Sequence, residues 1–489
     1  MGVNIRHYFI FRRDVAGLAG ILVLAAAGAS VGARAQAQNP TSATDSFWGS
    51  VTAQPAMGEA LKLSLDDAVE RGLKNNLGLK EAENEEKSLH GEKNEVMQEF
   101  LPTIALSGDT GYHMYDLATI GFSPKTFLEF SSRFPAGTPV PPNITRVDQT
   151  DGQIQFNQIL FSGPVIAGWK AAGASERSAD FARIMARGEV VQRVATAYLR
   201  AIADEGEVEN AKALVAQAQV LEDHAHAEHD AGTASNLDEL RARVQLQVQQ
   251  QALIAAENQQ AKDLILLKRE IGIDPGQVIE LTDQAPYSEL AAETPEEVRA
   301  LAYRSRQDYL NLQNQVVEYK AVHAAYRSQR LPKLSFNSYY GTTTVSGAGT
   351  HGNFAAVGTL SFPLFREARL RGDEDASQAQ LDAVNAQLAD LRNHIDEQVR
   401  AALLDVNANK QLVDVARSNV GLATRALSDE TDRVNAGVDD NLPLVIAQAS
   451  LATAESNLVE SLYQYNVSKL LLARAAGVIE TQYRVYLGR

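Results

Sequence analysis

Ala231-Gly232, followed by Asn236-Leu237, returns 205 residues later as Ala436-Gly437 followed by Asn441-Leu442. Arg269-Glu270-Ile271-Gly272-Ile273 returns at the same distance as Arg474-Ala475-Ala476-Gly477-Val478. Upstream, Phe100-Leu101-Pro102 is matched 230 residues on by Arg330-Leu331-Pro332, so the register changes by about 25 residues, and in one place. Repetition at this range fixes architecture before any local reading. It predicts a two-fold pseudo-repeat, residues 61–280 and 281–479, each built as helix, β-hairpin, very long helix and return helix. A lead-in at 36–60 and a tail at 480–489 flank the repeats.

Proline placement supports this. None of the fifteen prolines lies in 56–101, 165–274, 296–331, 364–442 or 444–489. Proline lacks a backbone donor and clashes with the preceding turn, so long stretches without it can be continuous helices. Within 169–230 apolar residues such as Phe181, Ile184, Val191, Val194, Tyr198 and Ile202 recur mostly in steps of three and four, as do Leu381, Val384, Leu388, Leu391 and Ile395 within 366–435. That is the spacing of a helix with one buried stripe. Helices of 60 to 70 residues would run roughly 90 to 105 Å and need neighbours along their whole length. The nearest neighbour is the return helix. Gly232 and Gly437 suit the left-handed position that ends the incoming helix. Asn236, with Glu239 three residues on, and Asn441, ahead of Pro443, are predicted to cap the helices that follow.

The strand pattern lies between the short and long helices. Ile104, Leu106, Tyr112 and Met114 alternate with Ser107, Asp109 and His113 in 103–115, and Ile154, Phe156 and Leu160 with Gln153, Gln155 and Asn157 in 152–161. Segments 333–342 and 353–362 repeat the pattern, giving hairpins over 103–161 and 333–362 with loops at 116–150 and 343–352. Ten-residue segments of apolar-out, polar-in alternation suit a membrane barrel around a wet lumen. Four such strands cannot close a channel, since about eight is the smallest barrel, so other copies must supply the rest.

Composition fits an exported protein. Arg6, Arg12 and Arg13, the apolar run Val15 to Ala27 and small residues near Ala35 predict a signal peptide over 1–35. Its removal takes four arginines and one aspartate, so the net charge of −16 becomes about −19, which argues against nucleic acid as a partner. The chain has no cysteine, hence no disulfide, thiolate metal site or thiol for lipidation. No later stretch approaches the roughly 20 apolar residues of a spanning helix.

Leu63-Ser64-Leu65-Asp66-Asp67-Ala68 ahead of a helix, both Leu-Pro strand entries, Leu160-Phe161-Ser162-Gly163 and Pro363-Leu364-Phe365 at strand exits, and the paired Ala-Gly tips all occur in order. Together they resemble the TolC-like outer-membrane efflux family over about residues 60–479. The resemblance implies a mainly α fold with a small membrane β-barrel part. It implies a homotrimer, each protomer giving four strands to a twelve-stranded barrel and long helices to a periplasmic α-barrel tunnel. It further implies an outer-membrane lipid setting, a periplasmic adaptor, an inner-membrane transporter and no cofactor. Gly232, Asn236, Asp238, Arg241, Gly437, Asp439, Asp440 and Asn441 are the candidate aperture and adaptor-docking residues. Asp439 and Asp440 would make either an acidic, cation-favouring entrance or a plainly solvated turn. The family's aspartate ring in the second return helix does not transfer, because Pro443, Leu444, Val445 and Ile446 stand there.

Other features have weaker claims. His226 and His229 share a helix face and, with Glu222, could bind a divalent metal, though a polar helix end explains them more simply. Tyr112, Tyr115, Phe122, Phe127, Phe130 and Phe134 suit an aromatic girdle or a self-packed external loop, and Trp169 an interfacial anchor. No nucleophile elbow, phosphate loop or His-Glu-x-x-His string occurs. The function expected is a passive exit duct of a tripartite efflux or type I secretion system, carrying small molecules or polypeptides. The alternative is a periplasmic coiled-coil adaptor or scaffold, which would account for the helices but not the strands.

Overall fold

The computed structural model describes residues 44–488 apart from 52, 57, 122, 130–132, 134, 136, 138–143, 233–234, 284–286, 292 and 437–440. The predicted signal peptide, residues 1–35, lies outside the described residues, as do Phe122, Phe130 and Phe134. In chain order the elements are β1 (Leu61–Leu63), α1 (Leu65–Asn75), α2 (Leu77–Gln98), β2 (Thr103–Asp116), α3 (Pro124–Glu129), β3 (Ile144–Phe161), α4 (Gly163–Asp230) and α5 (Asn236–Ile271). They continue with β4 (Ile279–Leu281), α6 (Pro295–Ser305), α7 (Gln307–Ser328), β5 (Lys333–Val345), β6 (Gly349–Ser361), α8 (Glu367–Asn435), α9 (Asn441–Ala475) and α10 (Ile479–Leu487). The chain divides into a helical body (described residues to 88, with 176–315 and 383–488) and a strand unit (89–175 and 316–382).

The two long helices form as their sequence predicts, with 68 residues in α4 and 69 in α8. Such lengths are supported where their apolar stripes are covered by the rest of the chain. In the helical body Val190, Val194, Tyr198, Ile395, Val399, Leu470 and Leu472 are buried in one core with Leu65, Leu267, Ile271 and Leu487. Tyr198 finds polar partners inside that core: its Oη lies 2.8 Å from the Leu63 carbonyl and 2.9 Å from Asp283 Oδ2, which also accepts from Leu65 N at 2.7 Å. β1 and β4 pair in parallel, Leu61 opposite Ile279.

Local caps repeat as the tips do. Ser64 and Thr294 each close a capping box, with Asp67 and Glu297 respectively, and each helix so started breaks at a residue in extended conformation, Asn76 and Arg306. Both pairs stand 230 residues apart, the offset of the two Leu-Pro signals. Gly272 and Gly477 both end return helices in the left-handed region at φ 74° and 77°, where an L side chain would be strained. Ile273 N donates to Lys268 O and Val478 N to Ala473 O, so one terminating motif is used twice.

The lead-in folds onto the helical body. Asp45 pairs with Arg193, whose guanidinium lies over the Phe47 and Trp48 rings at 5.7 and 5.0 Å. Asn76 Nδ2 donates to Phe47 O at 2.8 Å.

Candidate functional site

In the strand unit, β2-β3-β5-β6 form one antiparallel sheet. Thr103 to Asp116 pairs with Asn157 to Ile144, Gln149 to Phe161 with Val345 to Leu334, and Lys333 to Val345 with Ser361 to Gly349. Alternation sorts side chains by chemistry. One face carries Ile104, Leu106, Tyr112, Ile154, Tyr340, Phe354 and Leu360, all exposed, Leu106 at 83%. The other carries Ser107, Asp109, Asp151, Gln153, Gln155, Asn337, Thr343 and Asn353, which the register brings onto a common surface. They bond across strands: Gln155 Nε2 donates to Ser107 Oγ at 2.9 Å, Thr343 Oγ1 to Asp151 Oδ1, and Asn353 Nδ2 to Thr343 Oγ1 at 3.2 Å. The sheet therefore has one apolar face and one polar, hydrogen-bonded face, the two-sided chemistry that a membrane barrel wall requires. Among the described residues no helix is long and apolar enough to cross a membrane.

Two boundaries differ from the sequence reading. β3 begins at Ile144, eight residues before the predicted 152. Arg146, Asp148 and Gln149 dilute the apolar signal there, yet the pairing with β2 continues to Asp116. The predicted loop 343–352 shrinks to residues 346–348, with Gly347 at its centre and Gly349 just after it at φ 83° and 84°. Tyr112 and Tyr115 stand on β2, Tyr115 Oη donating to Gln149 Oε1 at 2.6 Å, and Phe127 lies in α3. Trp169 packs edge-on against Phe100 at 6.3 Å.

In the helical body, α4 and α5 meet at Gly232, whose φ of 72° is the left-handed turn predicted for it. The cap is one residue earlier than expected. Ser235, not Asn236, is the N-cap, and its partner is Asp238 rather than Glu239. The Ser235 hydroxyl donates to Asp238 Oδ2 at 2.7 Å and holds that carboxyl below its usual range. Arg241 pairs with Asp238 at 3.3 Å. Asn236 is the first residue of α5, and Asn441 the first of α9. Gly437, Asp439 and Asp440 lie outside the described residues.

Freed from capping, Glu239 turns inward and is 9% exposed. It takes His226 Nδ1 at 3.2 Å, His229 Nε2 at 3.8 Å and Arg243 at 3.0 Å. Glu222, expected beside His226, pairs instead with Arg243 at 3.4 Å. No group of His, Asp or Glu suited to a metal ion occurs among the described residues. Below this network Leu221, Ala225, Ala242 and Leu444 form a small apolar knot backed by Leu427, Val434 and Val445 of α8 and α9. Beside it lies a groove of about 360 Å³ lined by Leu221, Leu237, Leu240, Val244 and Val445, with Asp238 and Arg241.

The family of outer membrane efflux proteins matches residues 68–272 and 298–478. The chain belongs to that family. It is therefore an outer-membrane efflux channel protein extending into the periplasm, a non-enzymatic transport protein. The scaffold alternative fails on this match and on the sheet. Similar solved folds include a membrane protein from Pseudomonas aeruginosa (TM-score 0.71, 19% identity, covering 84% of this chain and 93% of that one). The outer membrane protein VceC from Vibrio cholerae is similar at TM-score 0.69 and 17% identity, covering 84% of this chain and 96% of its own. The CmeC outer membrane channel from Campylobacter jejuni has TM-score 0.69 and 14% identity, covering 92% and 94%. No curated protein matches the sequence.

Sequence reasoning missed Ser235 and the inward Glu239. The Ser-x-x-Asp string over 235–238 is a local capping signal, which the repeated Asn-Leu pair one residue later obscures.

Proposed function

We propose that this efflux protein works as a homotrimer, in which three four-stranded sheets close a twelve-stranded barrel in the outer-membrane lipid and the long helices form a periplasmic tunnel. The observation that carries this reading is the sheet itself. Among the described residues β2 and β6 end it with unpaired edges, and one of its faces is apolar. Unpaired edges cost hydrogen bonds in lipid, where no water can replace them. Four strands are too few to close, so the β2 edge of one copy must meet the β6 edge of the next around an axis.

In this reading the repeats 61–280 and 281–479 each supply one hairpin to the tunnel. The tips, with Gly232, Asn236, Asp238 and Arg241 on one and Gly437, Asp439, Asp440 and Asn441 on the other, form the aperture and receive a periplasmic adaptor. The groove beside Leu240 and Val244 supports that assignment, being apolar with a charged pair alongside. An inner-membrane transporter drives small molecules or polypeptides through the duct, in a tripartite efflux or type I secretion arrangement. The absence of cysteine makes the test clean. Cysteine pairs stepped along β2 and β6, such as Ser107→Cys with Ala355→Cys, are expected to oxidise into dimers and trimers in membranes. Monomers at every pair tested would overturn the arrangement.

A further inference from the structure

Arg200, on α4, holds three carboxylates from three helices. Its Nε lies 3.0 Å from Asp204 Oδ1 on the same helix and 3.7 Å from Asp263 Oδ2 on α5, and Nη1 lies 3.1 Å from Glu460 Oε2 on α9. Tyr463 of α9 covers the guanidinium at 5.3 Å, Gln259 donates to Asp263 Oδ2 at 2.8 Å, and Gln464 to Glu460 Oε1 at 2.6 Å. Nearby, Glu207 of α4 accepts from Ser456 of α9 at 2.7 Å. The cluster thus ties the first hairpin to the return helix of the second.

One atom in it has no donor. Asp204 is 3% exposed, and its Oδ2 is buried without a hydrogen-bond partner, while the Asp263 carboxyl converges with it on the same Arg200 Nε. Two ionised carboxylates offer only lone pairs to each other, and a buried acceptor left unmatched is costly. One arginine cannot neutralise three acids. A proton on one carboxyl cures both defects, converting a repulsion into an acid–carboxylate hydrogen bond.

We propose that Asp204 and Asp263 share a proton, forming a pH-sensitive joint that fastens α4 to α5 beneath Arg200 and releases its hold when the proton leaves. Burial, with Asp263 as a lesser cause, pushes the Asp204 carboxyl up to about 7, so the joint changes state near neutrality. The folded chain then holds a proton that the unfolded chain gives up at lower pH. Stability from this joint is therefore complete in acid and lost as pH rises through about 7. With the proton gone, the α9 contact through Glu460 competes for Arg200 with two charged aspartates, and the hairpins loosen.

Infrared titration of the full chain in detergent between about pH 5.5 and 8.5 tests this directly. Wild-type protein is expected to lose a protonated-carboxyl stretch with a midpoint near 7 that Asp204→Asn lacks. Glu270 and Glu318 titrate alike in both proteins, so the difference between the two isolates this carboxyl. Asp204→Asn, which keeps a donor facing Asp263, should also flatten the fall of the melting temperature with pH. Asp263→Asn, which offers an amide to Asp204, should move the band's midpoint down by about one pH unit or more. Titrations identical in all three proteins, or a band unmoved by Asp263→Asn, would overturn the shared proton.

Discussion

The helical body and the sheet treat their apolar residues in opposite ways. In the body, Leu267, Ile395, Leu472 and Leu487 are fully buried by other parts of the same chain. In the sheet, Leu106, Ile104, Tyr340 and Phe354 are 64–83% exposed, although they alternate as strictly as any core strand. The body buries a continuous core of its own, although Val244, Ile254, Leu404 and Leu422 stay exposed on its helices, whereas the whole apolar face of the sheet awaits something outside the chain. A protein of one solvent would not be built this way. The difference marks a boundary between water and lipid.

Deleting side-chain atoms on the two sides should expose that boundary. Leu472→Ala leaves a cavity in a packed core and is expected to cost about 2–5 kcal/mol, read as a lowered denaturation midpoint. Leu106→Ala should change the same midpoint by less than about 0.5 kcal/mol. A charge reverses the ranking of places: Leu106→Arg is expected to cost about 2–4 kcal/mol of insertion into lipid vesicles, with the helical circular dichroism unchanged. Equal effects at both positions would erase the distinction.

A smaller contrast lies within the body. Gly477 and Gly232 share a positive φ, but a Cβ at Gly477 would meet Arg306 N at 2.6 Å and its Cα at 2.7 Å, whereas one at Gly232 meets nothing within 4 Å. Gly232→Ala should therefore cost about 1 kcal/mol of backbone strain, and Gly477→Ala more, since backbone must shift. Melting curves of the two variants check the order.

The smallest effect compares protonation. Glu270 in the body and Glu318 in the strand unit are each pushed up to about 7 by burial. Both carboxyls hold protons in the fold that the unfolded chain releases, so stability should decline as pH rises through about 7. Glu270→Gln and Glu318→Gln are each expected to reduce that slope in thermal scans. An unchanged slope in both would rule out burial as the cause.

Much of this contrast was legible in the sequence because it is periodic. Steps of three and four announced α4 and α8, and period two announced β2, β5, β6 and the later half of β3. A glycine suited to a left-handed backbone announced the turn at Gly232. What escaped detection depends on partners distant in sequence. The early half of β3 is a strand because β2 and β5 pair with it, not because Arg146 and Asp148 prefer to be there. Glu239 reads as a cap residue locally, but His226 and His229 come within its reach only once the hairpin has closed. The Asp204–Asp263 contact joins two helices across 59 residues, with no local trace.

Single-channel recording in planar bilayers, on the purified full chain of known assembly mass, tests the central claim most directly. The account predicts a three-copy particle that conducts ions through one continuous pore, with conductance lost when Leu106→Arg blocks insertion. A fully folded single copy that inserts into lipid without conducting would contradict it.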